Sequence, residues 1–584
     1  MDHTKVQASA TRRGIKRLIP WLCLLAIIAM WTIARFDAAP PAHAQEGEND
    51  SHHAIAGRVV DEQGTPVSEA TVRLTLEEGA EPTDETETQP DGSFLLLLPD
   101  SVEPHNLYLE VNRLHFAGQH IKLERPDMAE LQAEGTLVLD DIVLARRLGI
   151  SFWATTATFV LMLVLIATER LHKTLAALLA VAIIFTVSLV GGGINDNLYV
   201  FDFEHALEFV DFDVIFLLMG MMIVIGVIEE TGIFQWLAYQ AYRLLRGHVW
   251  LLSLILMSVT AITSAMLDNV TTMLLMAPIS LQIALAVGIN PLALLIPQVL
   301  ASNVGGLATL VGEPTNILIG SYAGFSFNDF LVHLTPGVVL ALLGLFGYTL
   351  LRYRKQYMQH SAGLSPALLA RLKHNAEIQD IDKLKKAGIV FGGLLLLFIF
   401  GEPLHLPPAI AAIIGAVVML LWVHPDIEQM MGVVDWTTLI FFIGLFIVIG
   451  AVEEVGLISL TAGAIGRLVA GNLPLAMLAV VWLAAIISGI VDNVPFTAAM
   501  LPVVAHLSAI IPGAGNNMLF YALAVGAAMG GNTTLIGASA NLVTAGISDR
   551  AGYPITFKRF LAIGLPSVLV TTTLGTIWLF IHFF

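Results

Sequence analysis

Cysteine is nearly absent from this chain: of 584 residues a single one, Cys23, is cysteine, and it sits in an apolar stretch near the N-terminus. That excludes a disulfide framework and a cysteine-ligated metal centre. Charge is scarce as well. Only 13% of residues are Asp, Glu, Lys or Arg against 56% hydrophobic, a balance outside ordinary soluble usage and typical of a polytopic membrane protein. Basic residues are the scarcer sign, 29 against 47 acidic, for a net charge of −18, and they form no clustered face of the kind nucleic acid requires. Nor does the chain carry a nucleophile with a base at a family spacing, a metal cluster or an ATP-binding loop. An enzyme is therefore not expected, and an ion gradient is the expected driving force.

From Trp250 to Gly344 there is no lysine or arginine at all, yet Asp268 and Asn269 stand side by side within that run. In a bilayer a carboxylate there is costly, which makes it a candidate functional residue. The pattern returns 224 positions later as Asp492-Asn493, again inside an apolar run.

The N-terminus reads as a basic region (Arg12, Arg13, Lys16, Arg17), an apolar core from Leu18 to Ala34 and an Ala42-His43-Ala44 site before Gln45. Residues 1–44 are thus expected to be a signal peptide or an uncleaved anchor, and either exports the segment beginning at Gln45. Over 45–147, short β-type runs alternate with turns and predict about six strands: Ile55 to Val60, Ala70 to Leu76, Gly92 to Leu98, Leu107 to Val111 and the stretch from Leu137 to Leu144 among them. The pattern Gly57-Arg58-Val59-Val60-Asp61, Gly64-Thr65-Pro66-Val67 and Asp91-Gly92-Ser93-Phe94 resembles the carboxypeptidase regulatory-like, transthyretin-like β-sandwich. A structural or partner-binding role, with an unknown ligand, is expected of it.

After Arg147 the chain is a series of apolar segments. Leu251 to Ala286 and Leu475 to Val504 are long enough to enter and leave as hairpins, with an Asp-Asn pair near each turn. Pro291 to Tyr322 and Leu519 to Val543 are interrupted by Gly-Gly and polar residues, as broken helices lining a site are. The halves repeat one another. Gly305 to Asn316 (GGLATLVGEPTN) and Gly530 to Asn541 (GGNTTLIGASAN) agree at six of twelve positions, and Ile223-Val224-Ile225-Gly226 with Glu229-Glu230 and Gly232 returns as Ile447-Val448-Ile449-Gly450 with Glu453-Glu454 and Gly456. This divides the rest into repeat 1 (148–352), a cytoplasmic linker (353–386) and repeat 2 (387–584). The connection Arg352 to Lys386 has eight basic residues against three acidic, whereas the loop Asp196 to Asp213 has six acidic and no Lys or Arg. The bias puts the former inside and the latter outside, together with the β-module. With five spans plus a re-entrant hairpin per repeat, an odd number of crossings separates the copies. The expected fold is an α-helical polytopic membrane protein of two inverted repeats, carrying a small extracytoplasmic all-β sandwich.

Where the hairpins meet, the candidate ion or substrate ligands are Asp268, Asn269, Thr271, Asp492, Asn493 and Thr497 from the tips. The broken helices add Thr309, Thr315 and Asn316 from one half, and Thr533, Thr534, Ser539 and Asn541 from the other. Oxygen ligands suit a hard cation such as sodium, held by Asp268 and Asp492, and a partly desolvated carboxylate can carry a proton instead. The plainer reading of each Asp-Asn pair is a helix cap. Glu313, which has Ala538 as its counterpart, is either a second proton carrier or loop-exposed. Glu229, Glu230, Glu453 and Glu454 read as interfacial, and the histidines as solvated loop residues.

The segments Met266 to Leu275 (MLDNVTTMLL), Gly312 to Ile317 (GEPTNI) and Gly530 to Asn541 resemble the signatures of the ion transporter superfamily. The closest likeness is to its citrate-transporter-like branch, which holds the pigmentation P protein, the ArsB arsenite carriers and the NhaD sodium/proton antiporters. The resemblance covers about residues 150 to 584. It implies inverted repeats with re-entrant hairpins, homodimers and alternating access in the inner membrane. Dicarboxylate carriers of the superfamily have Ser-Asn-Thr at each hairpin tip; here Asp268 and Asp492 replace the serine, and Val270 and Val494 stand where threonine would. A fixed anion at each tip repels a dicarboxylate unless a cation or proton neutralises it. Sodium/proton antiport is therefore the favoured expectation. The alternatives are a carrier of citrate-like dicarboxylates, arsenite or chloride coupled to sodium or protons, and more remotely a membrane sensor or scaffold. No cofactor is expected beyond the transported ion, and lipid and a small solute are the expected partners.

Overall fold

The structure, a computed structural model, describes residues 53–584 apart from 63, 65, 76–82, 99–106, 125, 128, 130, 132–134, 244–247, 359–377, 379 and 470. Residues 1–44, expected as a signal peptide or an uncleaved anchor, and most of the expected linker lie outside the described residues.

The β-module is built on strand alternation. In β2 (Thr71–Thr75) Val72 and Leu74 turn inward, and in β5 (Tyr108–Asn112) Leu109 and Val111 do, each fully buried beside partly exposed neighbours except where Thr75 ends β2 buried. One sheet orders β3 (Asp84–Glu87), β2, β5 and β6 (Gln119–Lys122), all antiparallel. The other centres on β1 (Ala54–Asp61), paired antiparallel with β4 (Ser93–Leu97) and parallel with β7 (Thr136–Val138) and β8 (Ile142–Leu144). Ile55, Val59, Leu96 and Leu144 face the second sheet's apolar side across a shared core. Among the described residues there are eight strands, where about six were expected. The sequence Asp84-Glu85-Thr86-Glu87 has no apolar residue to signal a strand, because it forms a sheet edge with both faces partly wet. The Leu137 to Leu144 run is two strands, since β1 receives β7 along one part of its length and β8 along another.

Among the described residues eight helices are long and apolar enough to cross a membrane: Ile150–Ala167, Lys173–Gly191, Phe212–Glu229, Val249–Met266, Thr335–Arg352, Trp436–Glu454, Asn493–Ile510 and Phe557–Phe583. Shorter apolar helices fill the gaps, and one order of elements occurs twice. Phe212–Glu229, an amphipathic helix Ile233–Arg243, the pair Val249–Met266 and Asn269–Val287, and the broken element Leu292–Gly306 then Pro314–Ala323 make the first series. Trp436–Glu454, Leu457–Val469, Leu473–Ser488 with Asn493–Ile510, and Met518–Gly530 then Ser539–Arg550 make the second. The series interlock. Phe212–Glu229 packs on Pro408–Val423 and Trp436–Glu454 on Lys173–Phe185, each with a glycine in close approach, Gly220 against Ala412 and Gly444 against Ala177.

Small residues also set the approach of each broken element to its hairpin. A Cβ on Gly305 would come 2.5 Å from the Ala261 backbone, and one on Gly530 would come 2.5 Å from that of Ala485. Extramembrane segments grip the Glu-Glu turns of both series: Lys383 pairs with Glu230, and Arg113 of the β-module bridges Glu69 (3.0 Å) and Glu454 (3.3 Å). The second hairpin opens toward the module, with Pro502, Ala505 and His506 lining a cavity of about 510 Å³ shared with Glu69 and Arg113. The first opens at the far end of Thr335–Arg352, where Ser253 bonds the Tyr357 hydroxyl (2.7 Å) and that hydroxyl bonds the Ala293 carbonyl (2.7 Å). His506 is thus buried in a helix, not solvated in a loop as expected. His333 likewise contacts another imidazole, His582, at 2.6 Å.

Candidate functional site

Each hairpin turns at its Asp-Asn pair because aspartate caps the returning helix. Asp268 accepts from the Thr271 backbone N–H (2.8 Å) and from the Thr271 hydroxyl (2.6 Å), so Thr271 is spent on its own tip. Asp492 accepts from the Val494 N–H (3.0 Å) and from the hydroxyl of Ser539 (3.3 Å), which begins the second broken element's outer helix. Asp268 is half-buried and Asp492 is buried.

The next residues, Asn269 and Asn493, open the returning helices and aim their amides at one atom. Asn269 Nδ2 lies 3.1 Å and Asn493 Nδ2 lies 2.5 Å from Oε1 of Glu313. Glu313 is only 1% exposed, in the gap between Leu292–Gly306 and Pro314–Ala323, so it is not a loop-exposed residue. Its second oxygen, Oε2, is buried and makes no hydrogen bond of regular geometry among the described residues, while the Thr315 hydroxyl faces the carboxylate. Two residues on in the chain, Thr315 is fully buried. Three further oxygens on the same stretch or on the second tip's helix are buried with no hydrogen bond of regular geometry among the described residues: the hydroxyl of Thr315, Oδ1 of Asn316, three residues after Glu313, and the hydroxyl of Thr497, one turn beyond Asn493. Buried oxygens on the chain just after Glu313 and on the tip helix that bonds it are of the donor type a hard cation takes.

Backbone groups freed at the breaks must be satisfied internally in a bilayer. Asn316 Nδ2 does this by donating to the Gly306 (3.0 Å) and Thr309 (2.8 Å) carbonyls. Asn541 Nδ2 does the same for Gly531 and Thr534 (both 2.9 Å). The break hydroxyls tie each broken element to its own hairpin, Thr309 to the Ala265 carbonyl and Thr534 to that of Gly489 (2.7 Å). Thr533 is half-buried over Gly489, where an added Cβ would meet it at 2.8 Å.

An amide chain joins the halves. Asn303 accepts from Asn269 (3.0 Å) and donates to Asn532 (2.8 Å) and Asn541 (3.0 Å). Asn532 in turn donates to the Leu300 carbonyl (3.1 Å). Asn303, Asn532 and the centrality of Glu313 escape the repeat comparison, because their counterparts are Ala528, Leu307 and Ala538. The signal that finds them is the presence of intramembrane amides and acids as such, which also picks out Gln298, bonded to Thr260 at 2.8 Å. No lysine or arginine occurs in residues 248–323 or 473–549, and Arg550 stands at the last position of the second broken element's outer helix.

Comparison with known proteins agrees with this architecture. The citrate transporter family model matches residues 163–526. The chain is 38% identical to an uncharacterized transporter of Mycobacterium tuberculosis over 427 residues, 73% of this chain and 97% of that one. It is 34% identical to the P protein of Homo sapiens over 496 residues, 71% of this chain and 58% of the P protein. The crystal structure of the Alcanivorax borkumensis YdaH transporter is similar in fold, with a TM-score of 0.50 and 16% identity over 74% of this chain and 98% of that chain. The chain therefore belongs to the citrate transporter family and is a multi-pass membrane transporter.

Proposed function

We propose that this transporter exchanges sodium ions for protons by alternating access across the plasma membrane, with Glu313 as the carboxylate for which the two ions compete. The observation that carries this reading is the bonding of one buried carboxylate to both hairpin tips. Protonation of Glu313, or a cation on it, changes an acceptor that Asn269 and Asn493 share, so ion binding is linked to the position of both tips. A cation would take Oε2 of Glu313 with the oxygens of Asn316, Thr315 and Thr497. Asp492, close to Glu313 through Ser539 and Asn493, and Asp268 supply the field that favours positive charge, while their bonds hold the tips in shape. Thr309, Thr534 and Asn541 keep the breaks open for ligands; Thr271, Thr533 and Ser539 support the tips.

Two features favour a cation over citrate or another anion as the cargo. Apart from Asp549 and Arg550 at the far end of Ser539–Arg550, the core elements carry the carboxylates Asp268, Glu313 and Asp492 and no lysine or arginine. A dicarboxylate brought there would meet fixed negative charge with no guanidinium fork to receive it. The opening of the second hairpin toward the module and of the first toward Tyr357 supports an inverted-repeat arrangement; a β-module on the extracytoplasmic side and a homodimeric assembly belong to the same proposal. The test is purified protein in liposomes carrying a pH-sensitive dye. Sodium added outside is expected to drive internal pH change, with citrate and chloride without effect. Uptake of labelled citrate without a sodium-driven pH change would reject the antiport reading.

A further inference from the structure

Against the break that holds Glu313 lies a cavity whose lining includes none of the proposed ion ligands. It holds about 330 Å³, between the first broken element and two neighbouring parts of the body: the start of Phe212–Glu229 and the turn before Pro408–Val423. Its inner wall includes Leu310 and Ile317. The residues directly before these are Thr309 and Asn316, bonded to one another across the break that contains Glu313, so the floor is one residue from the site on both sides of the gap. The outer wall carries exposed Asp213, Glu402 and His405, and no lysine or arginine lines any part of it. Stacked Phe327 and Phe398, 5.5 Å apart, and a 2.6 Å bond from Asn328 to the Ile399 carbonyl fix the rim.

The volume decides what fits. An ion with six waters at about 30 Å³ each needs roughly 180 Å³, which this space accommodates. The sign of the wall decides which ion: carboxylates over low-dielectric walls raise the local cation concentration and repel anions.

We propose that this cavity is the vestibule through which a small hydrated cation approaches Glu313, with Asp213 and Glu402 selecting its charge. The proposal rests on the cation-transport reading but is tested apart from it. Cys23→Ser leaves the chain without cysteine, and Ser321→Cys then places one thiol on the cavity wall. In proteoliposomes at low ionic strength, a quaternary-ammonium thiosulfonate is expected to modify that thiol at least fivefold faster than a sulfonate reagent of equal size. Asp213→Asn with Glu402→Gln should erase the preference and, where sodium flux is measured, raise its KM several-fold with kcat unchanged. A thiol inert to both reagents in protein with a normal gel-filtration profile overturns the proposal. So do equal rates for the two reagents, or a sodium KM indifferent to the double substitution. Reagent rates need no transport, so absent sodium flux with an intact, neutralisation-sensitive preference would count against antiport and leave the cation vestibule standing.

Discussion

At the scale of single residues, the aspartates at the tips carry two duties that substitution separates. Asp268→Asn keeps a side-chain oxygen for the Thr271 N–H, so the thermal midpoint of the purified protein is expected to stay near wild type, whereas Asp268→Ala should cost about 1 kcal/mol of stability. Equal loss in both variants would mean that charge, not the cap, holds the tip. What the sequence makes legible here is the pair of tips, because Asp-Asn recurs at 268 and 492 in apolar surroundings. What it hides is their common target. Asn493 meets Glu313 across 180 positions, and nothing local in Gly312-Glu313-Pro314 reports that contact. The asymmetry of the centre, with Glu313 opposite Ala538 and Asn303 opposite Ala528, is invisible to a reading that weights the residues repeated in both halves.

At the scale of elements, the two breaks rest on one device used twice, an asparagine donating to two freed carbonyls. Asn316→Ala and Asn541→Ala should each leave buried carbonyls unpaired and lower stability by about 1–3 kcal/mol, read as a reduced thermal midpoint in detergent. A serine at either position, too short to reach both carbonyls, should recover little of the loss. Gly305→Ala tests the packing that sets the first break: its Cβ would be driven into the Ala261 backbone, and overpacking of this kind typically costs about 1–3 kcal/mol. The breaks are legible in the sequence because Gly-Gly and polar residues interrupt an apolar run. β3 is not, since a charged edge strand shows no apolar alternation. The burial of His506 is equally hidden, because its helical neighbours Pro502 and Ala509 say nothing of the module packed over them.

At the scale of the whole molecule, the β-module and the helical body meet through Arg113, Arg146, His115, His205 and Glu454. The His115 ring lies against the Val200 carbonyl at 3.4 Å. Burial holds its pKa below the ordinary 6.5, with Glu454 pulling it partly back up and Arg113 and Arg146 pushing it down. The docked ring therefore binds fewer protons than a released one. Docking is favoured above about pH 6.5 and weakens as pH falls through the lowered value. Hydrogen exchange at the junction, corrected for intrinsic chemistry, should accelerate as pH is lowered from about 7.5 to about 5, and His115→Gln should flatten that dependence. Unchanged protection in the wild type would mean that the junction does not open there. The two-domain plan is legible from composition, since the acidic, turn-rich segment before Arg147 differs so sharply from the apolar segments after it. The docking of one on the other depends on single cations that composition does not single out.

Coupling belongs to the whole molecule too, because Glu313 engages tips from both halves. The most direct test is sodium-driven proton flux in proteoliposomes for wild type and Glu313→Gln, with Asp268→Asn alongside as a variant that keeps its cap. Glu313→Gln preserves a carbonyl for Asn269 and Asn493, so it should fold normally and yet lose proton flux by at least a hundredfold. Full sodium-coupled flux in a well-folded Glu313→Gln protein would contradict the account.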